Sequence, residues 1–232
     1  MYRRLSRFAL AGIMGMVPVW LVASTRAPVS QPPAPATQTI DLVALWRSGK
    51  LRPVNRAVEA VPDRPDALRL TKREGPGVAW IEGTALSEGT IAFEVRGKDV
   101  FQESFPGMAF HRKNDTTYEA VYVRPFNFRT SDSVRHGHAV QYMVAPDFDW
   151  PRLREQFPEE FEHSVDATVS PTDWVPVRIA ISTTRVRVFV GRGTAPTLDV
   201  RRLGGLTQGN IGLWAGNNSD GDFAKLTITP DR

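Results

Sequence analysis

The 232-residue sequence contains no cysteine. That absence excludes a disulfide framework, Cys-ligated zinc or iron–sulfur centres and thiol nucleophiles. No phosphate-binding loop, dinucleotide fingerprint, G-x-S-x-G elbow or H-E-x-x-H motif is present, so the familiar signatures of nucleotide, serine-hydrolase and zinc-protease chemistry are missing. Helical periodicity is scarce, and there is no internal repeat. One long apolar run occurs, Phe8 to Ala23; it is short for a membrane span and is interrupted by Gly12, Gly15 and Pro18.

That run has a context of its own. Arg3, Arg4 and Arg7 precede it, and Val22-Ala23-Ser24 ends it with small residues. This is the layout of a secretory signal peptide over residues 1–24, with an uncleaved membrane anchor as the alternative. The lack of Cys rules out a lipoprotein anchor. Removing residues 1–24 takes the formal charge from +4 to +1, with 26 basic against 25 acidic residues left. The high pI therefore belongs to the leader, and no basic face for nucleic acid is implied. An exported chain without Cys points to a bacterial envelope protein, periplasmic or extracellular, with no membrane insertion after cleavage. Residues 25–38 form a Pro-rich linker around "PVSQPPAPA", an extended tether. Residues 39–232 are long enough for one domain with a substantial core.

Within that domain short alternating segments follow one another, separated by Gly, Pro, Asn and Asp. "GTIAFEVRG" (89–97) puts Ile91, Phe93 and Val95 on one face. "WVPVRIAIS" (174–182) does the same with Val175, Val177, Ile179 and Ile181, and "RVRVFVG" (185–191) with Val186, Val188 and Val190. The last two are joined by Thr183-Thr184, a tight hairpin signal. About a dozen such segments predict an all-β, two-sheet antiparallel sandwich of jelly-roll type. One short helix is expected in the long connection Ala145–Thr172: "DWPRLREQF" (149–157) has Asp149 as cap, Pro151 in the first turn and Pro158 as the stop.

"YEAVYVRPFNF" (118–128) carries the functional question. Alternation puts Glu119, Val121 and Val123 on one face and Tyr118, Ala120, Tyr122 and Arg124 on the other. Burying Arg124 without a partner is expensive, so Val121 and Val123 are assigned to the core and Tyr122 and Arg124 to the open face. Glu119, at the strand's start, is expected to escape deep burial.

Several stretches resemble a known superfamily: "GMAFHRKNDTTYEAVYVRPFNF", "HAVQY", "WPRLREQFPEEFE", "DWVPVRIAIS", "VRVFVG" and the closing "GNIGLWAGNNSDGDFAKLTI". Together they are similar to the concanavalin A-like lectin/glucanase superfamily, closest to laminin G-like jelly rolls and the 3-keto-disaccharide hydrolase-like domains. The resemblance spans roughly Ile40 to Ile228. It implies that the open face of one sheet holds carbohydrate, where aromatic rings stack on sugar C–H faces and polar side chains take the hydroxyls. The superfamily's glucanase motif E-x-D-x-x-E is absent, which tilts the expectation from cleavage toward binding. A glycoside hydrolase of the keto-disaccharide type and an envelope adhesion domain are the alternatives.

Candidate site residues follow from chemistry. Tyr122, Arg124, Asn127, Gln141, Tyr142, Trp150 and Arg154 are expected to bind saccharide. If the protein is an enzyme, Glu119 and His138 are its expected acid/base groups, with Arg124 polarising a carbonyl. Each has a structural counter-reading: a strand-edge ion pair, or a helix whose Trp150, Leu153 and Phe157 pack on the sandwich. His136 and His138, at i and i+2, are weak metal candidates. Asn217, Asp220 and Asp222 in "NNSDGD" are oxygen ligands for a structural Ca²⁺, or simply turn residues. "EEFEH" (159–163) reads as a solvated acidic turn.

Overall fold

The computed structural model describes residues 36–231. The expected signal peptide and most of the linker lie outside them. The described residues form fifteen strands. In chain order they are β1 (Gln38–Thr39), β2 (Leu51–Val54), β3 (Val58–Val61), β4 (Arg64–Leu70), β5 (Gly77–Leu86), β6 (Gly89–Arg96), β7 (Pro106–Phe110) and β8 (Tyr118–Val123). Then come β9 (Val140–Ala145), β10 (Glu162–His163), β11 (Val175–Ile181), β12 (Arg185–Val190), β13 (Leu198–Arg201), β14 (Gly209–Ala215) and β15 (Gly221–Pro230). An eight-stranded antiparallel sheet runs β13-β12-β11-β6-β15-β4-β3, with β1 also on β15. A seven-stranded antiparallel sheet runs β10-β9-β8-β7-β14-β5-β2.

The alternation read from the sequence sets the core. Ile91, Val95, Val177, Ile179, Val186 and Val188 are buried, while their neighbours Glu94, Arg178 and Arg187 are not. Such half-buried strands bury one side chain in two. Across the sandwich, Val121, Met108 and Leu213 occupy one transverse row of the seven-stranded sheet. Their side chains join the same apolar cluster.

Three short helices decorate the sheets. The expected one, α3, spans Trp150–Gln156, and Asp149 caps it by accepting the Arg152 N–H at 3.3 Å. The other two, α1 (Leu42–Arg47) and α2 (Ser133–Gly137), are six and five residues long. That is too short for a periodic signal to register. Because α2 takes residues 133–137, His136 and His138 do not share a strand face as the spacing predicts. His136 instead hydrogen-bonds the Val165 carbonyl at 3.1 Å.

β8 departs from the half-buried pattern: every residue of it is buried. Val121 and Val123 do face the core, and Tyr122 and Arg124 lie on the other face. That outer face is not open, however, because the connections around residues 97–105, 124–139 and 149–157 fold over it. Glu119 is also not near the surface; it is fully buried.

Candidate functional site

The site grows from one transverse row of the seven-stranded sheet. Glu162 pairs with Gln141, Gln141 with Tyr122, Tyr122 with Gly107, and Gly107 with Trp214. Residues in one row point to the same face. Here that face looks away from the core. Gly107 makes the row possible, since a Cβ there would lie 2.6 Å from the Cβ of Tyr122. Over this glycine the Tyr122 and Trp214 rings approach to 4.8 Å between centroids.

Loops extend the aromatic surface. Phe105 meets Tyr122 edge-on at 6.3 Å and Phe126 at 5.4 Å, and Phe126 meets Phe101 at 5.7 Å. Trp150, the first residue of α3, closes the other side. A cavity of about 340 Å³ lies among these rings. Its mouth is unusually apolar. Val100, Phe101, Val134 and Trp150 are the exposed large hydrophobic residues among those described, and all four sit on the connections that surround it.

Polar groups enter the cavity from beneath and from the rim. The Tyr122 hydroxyl donates to Gln141 Oε1 at 2.9 Å and accepts from Arg124 Nη2 at 2.8 Å. Burial raises the Tyr122 pKa, so the phenol keeps its proton. Arg124 also donates to Gln141 Oε1, to the His138 carbonyl (2.8 Å) and to Glu162 (3.4 Å). Arg154 grips both oxygens of Glu162, at 2.7 and 2.8 Å. Asn127 donates to the His138 carbonyl at 3.2 Å. The His138 ring lies 3.2 Å from Glu162. Burial lowers the His138 pKa; Glu162 pulls it upward, and Arg154 and Arg124 push it down again. The net direction is downward, which favours the neutral ring at pH 7.

The expected residues thus divide between two places. Tyr122, Arg124, Asn127, His138, Trp150 and Arg154 line the cavity, and Gln141 supports them from below. Glu119 and Tyr142 lie on the opposite, core-facing side of the same sheet. There Tyr142 donates to Glu119 at 2.6 Å, Arg202 donates to it at 2.6 Å, and His111 bonds it at 2.8 Å. Glu119 and His138, the candidate acid/base groups, therefore stand on opposite faces of the sheet. Burial alone would raise the Glu119 pKa, but the hydrogen bonds from His111, Arg202 and Tyr142 outweigh it and hold the carboxyl below its ordinary value.

Two further expectations need correction. Glu162, read as part of a solvated turn, is buried and anchors Arg154 and Arg124, because β10 pairs it with β9. Asn217, Asp220 and Asp222 do not assemble as calcium ligands. Asp222 is held by Arg69 (2.6 Å) and Arg96 (2.8 Å), Asp220 by Lys98, and the Asn217 oxygen accepts the Gly75 N–H at 2.7 Å. Among the described residues no cluster of His, Asp and Glu is arranged to hold a metal. Asn217 lines the cavity instead.

Sequence reasoning missed Phe101, Phe105, Phe126, Arg135 and Trp214. For Trp214 a signal existed. Ile211 and Leu213 claim the core face of β14, which turns Trp214 outward, where a large aromatic needs a reason.

A scan against models of protein families finds no match, and neither does a search of curated protein sequences. Solved structures do match. The carbohydrate binding module CBM66 from Bacillus subtilis superposes with a TM-score of 0.56 at 11% identity, over 78% of this chain and 96% of that one. A Bacillus subtilis protein of unknown function with a galectin-like fold gives 0.52 at 14% identity, over 78% and 89%. The VIP36 exoplasmic/lumenal domain, in its Ca²⁺/Man₃GlcNAc-bound form, gives 0.52 at 12% identity, over 80% and 85%. At these identities the likeness establishes the fold. The chain has a two-sheet antiparallel jelly-roll β-sandwich fold.

Proposed function

We propose that this protein is a carbohydrate-recognising domain that binds a glycan in the cavity on the outer face of the seven-stranded sheet. The observation that carries the reading is the cavity itself, with six aromatic side chains and a polar floor along one strand row. Rings of this kind cover the apolar faces of sugars, while Asn, Arg and His groups meet hydroxyls. The names of two structurally similar proteins support it: one is a carbohydrate binding module, and the other was solved with Man₃GlcNAc. The leader-like sequence at residues 1–24 fits a protein exported to meet such a ligand.

Binding is favoured over hydrolysis by the lining. Glycoside cleavage of the common kind uses two carboxyl groups flanking the bond. No Asp or Glu lines the cavity. Glu162 beneath it is committed to Arg154, and Glu119 is turned to the core.

The test is a panel of oligosaccharides titrated into the purified protein by calorimetry, alongside Trp150→Ala. Trp150 is half exposed at the rim, so its loss leaves the fold intact. A binder is expected to lose roughly tenfold in affinity without release of any shortened sugar. Absence of binding across the panel, or equal binding by the variant, would overturn the reading.

A further inference from the structure

We infer that the sugar taken by this cavity carries an anionic group, either a uronic acid carboxylate or a sulfate ester. The inference rests on the glycan-binding reading and adds the charge of the ligand. Three guanidinium groups line the cavity, those of Arg124, Arg135 and Arg154, and no carboxylate does. Residues 36–231 as a whole hold 24 Lys and Arg against 25 Asp and Glu, so this lining departs from the balance of the domain. Glu162 offsets one of the three charges from below, but its side chain is 3% exposed and cannot meet a ligand. His138 adds no opposing charge. The lining therefore carries net positive charge beside aromatic walls, where a counter-charge is attracted more strongly than in open water.

The arginines at the rim are also posed for such a group. Arg135 lies over the Phe101 ring at 4.3 Å and Arg154 over the Trp150 ring at 5.0 Å. Phe101 and Trp150 are exposed rim residues. A guanidinium over a ring keeps its charge beside the aromatic face, and its planar fork of N–H donors matches a carboxylate or sulfate. In both arginines Nε and Nη2 are used within the protein, while Nη1 has no hydrogen-bond partner among the described residues. The bonds Arg135 does make, to Asn127 and to the Phe126 carbonyl, are both 3.3 Å long. Tethering a loop is thus a weak account of why an arginine stands there.

Two matched pairs of ligands test this. One pair is a hexuronic acid oligosaccharide and its carboxyl-reduced counterpart; the other is a sulfated oligosaccharide and its desulfated counterpart. Calorimetry on the intact protein at low and high salt is the measurement, with Arg135→Gln as the variant and its melting curve as the check on folding. At least one anionic member is expected to bind about tenfold more tightly than its neutral partner. Raising the salt should shrink that advantage, and Arg135→Gln should reduce it to a few-fold. The pair that shows the advantage identifies carboxylate or sulfate. Equal binding within both pairs would overturn the inference while leaving glycan binding standing. Binding of neutral oligosaccharides from the wider panel with none by either anionic member would overturn it as well. No binding by any oligosaccharide would remove the glycan reading and this inference together.

Discussion

At the scale of single residues, the two ionic centres on either side of the seven-stranded sheet do different work. Glu119, with His111, Tyr142 and Arg202, ties β8 to the connection beyond β13 and so joins the two sheets. Breaking a buried pair on one side leaves the other charge stranded. Glu119→Gln should therefore cost about 3 kcal/mol at neutral pH, read from chemical denaturation. The pH dependence has a definite sign. A carboxyl held below its ordinary value of 4.5 contributes fully above that value and loses its contribution as the pH falls through the lower folded value. The wild type should therefore lose stability in acid more steeply than Glu119→Gln, and parallel profiles would contradict the assignment. Gly107 gives a second residue-scale prediction. Gly107→Ala should destabilise by about 2 kcal/mol through overpacking against the Val121 carbonyl and Tyr122, and it should weaken ligand binding because the Tyr122–Trp214 pair must shift. Asp222, between Arg69 and Arg96, predicts the reverse of a calcium site: a chelator should leave the melting temperature unchanged, whereas Asp222→Asn should lower it.

At the scale of elements, α3 is the part that brings Trp150 to the site. It is seven residues long, buries Leu153 against the sandwich and holds Trp150 out over the cavity. Asp149→Ala removes its cap, worth about 1 kcal/mol locally. Ligand affinity is expected to drop a few-fold while the global melting curve hardly moves; unchanged affinity would mean that α3 does not position Trp150. The elements also explain what the sequence could and could not reveal. β6, β11 and β12 are buried on one face, so their alternation is visible in the letters. β8 is buried on both faces; its Tyr122 and Arg124 read as exposed because strand alternation does not show that the connections before and after β8 fold over them. α3 announces itself through Asp149 and Pro151. β10 is two residues long, too short to show, so Glu162 was hidden inside an acidic turn.

At the scale of the whole molecule, the jelly roll was legible and the cavity was not, for a topological reason. β14 enters the sheet between β7 and β5 although roughly a hundred residues separate it from both in the chain's middle stretches, and it brings Trp214 beside Tyr122. No spacing along the chain encodes that neighbourhood. The proposal of sugar binding on this face was legible through the resemblance and through Tyr122, Arg124 and Trp150; the lining from Phe101, Phe105, Phe126 and Trp214 required the fold. The central claim is that the ligand sits in this cavity, and the tryptophans can report it. Among the described residues there are five, of which Trp150 and Trp214 line the cavity. Trp174 is a remote control, stacked under Arg64 and Arg96 of the other sheet. The decisive measurement is an NMR titration of the indole N–H signals with the tightest-binding oligosaccharide. The account predicts that Trp150 and Trp214 shift together, with one dissociation constant, while Trp174 stays in place; saturable shifts at Trp174 with Trp150 and Trp214 unmoved would contradict it.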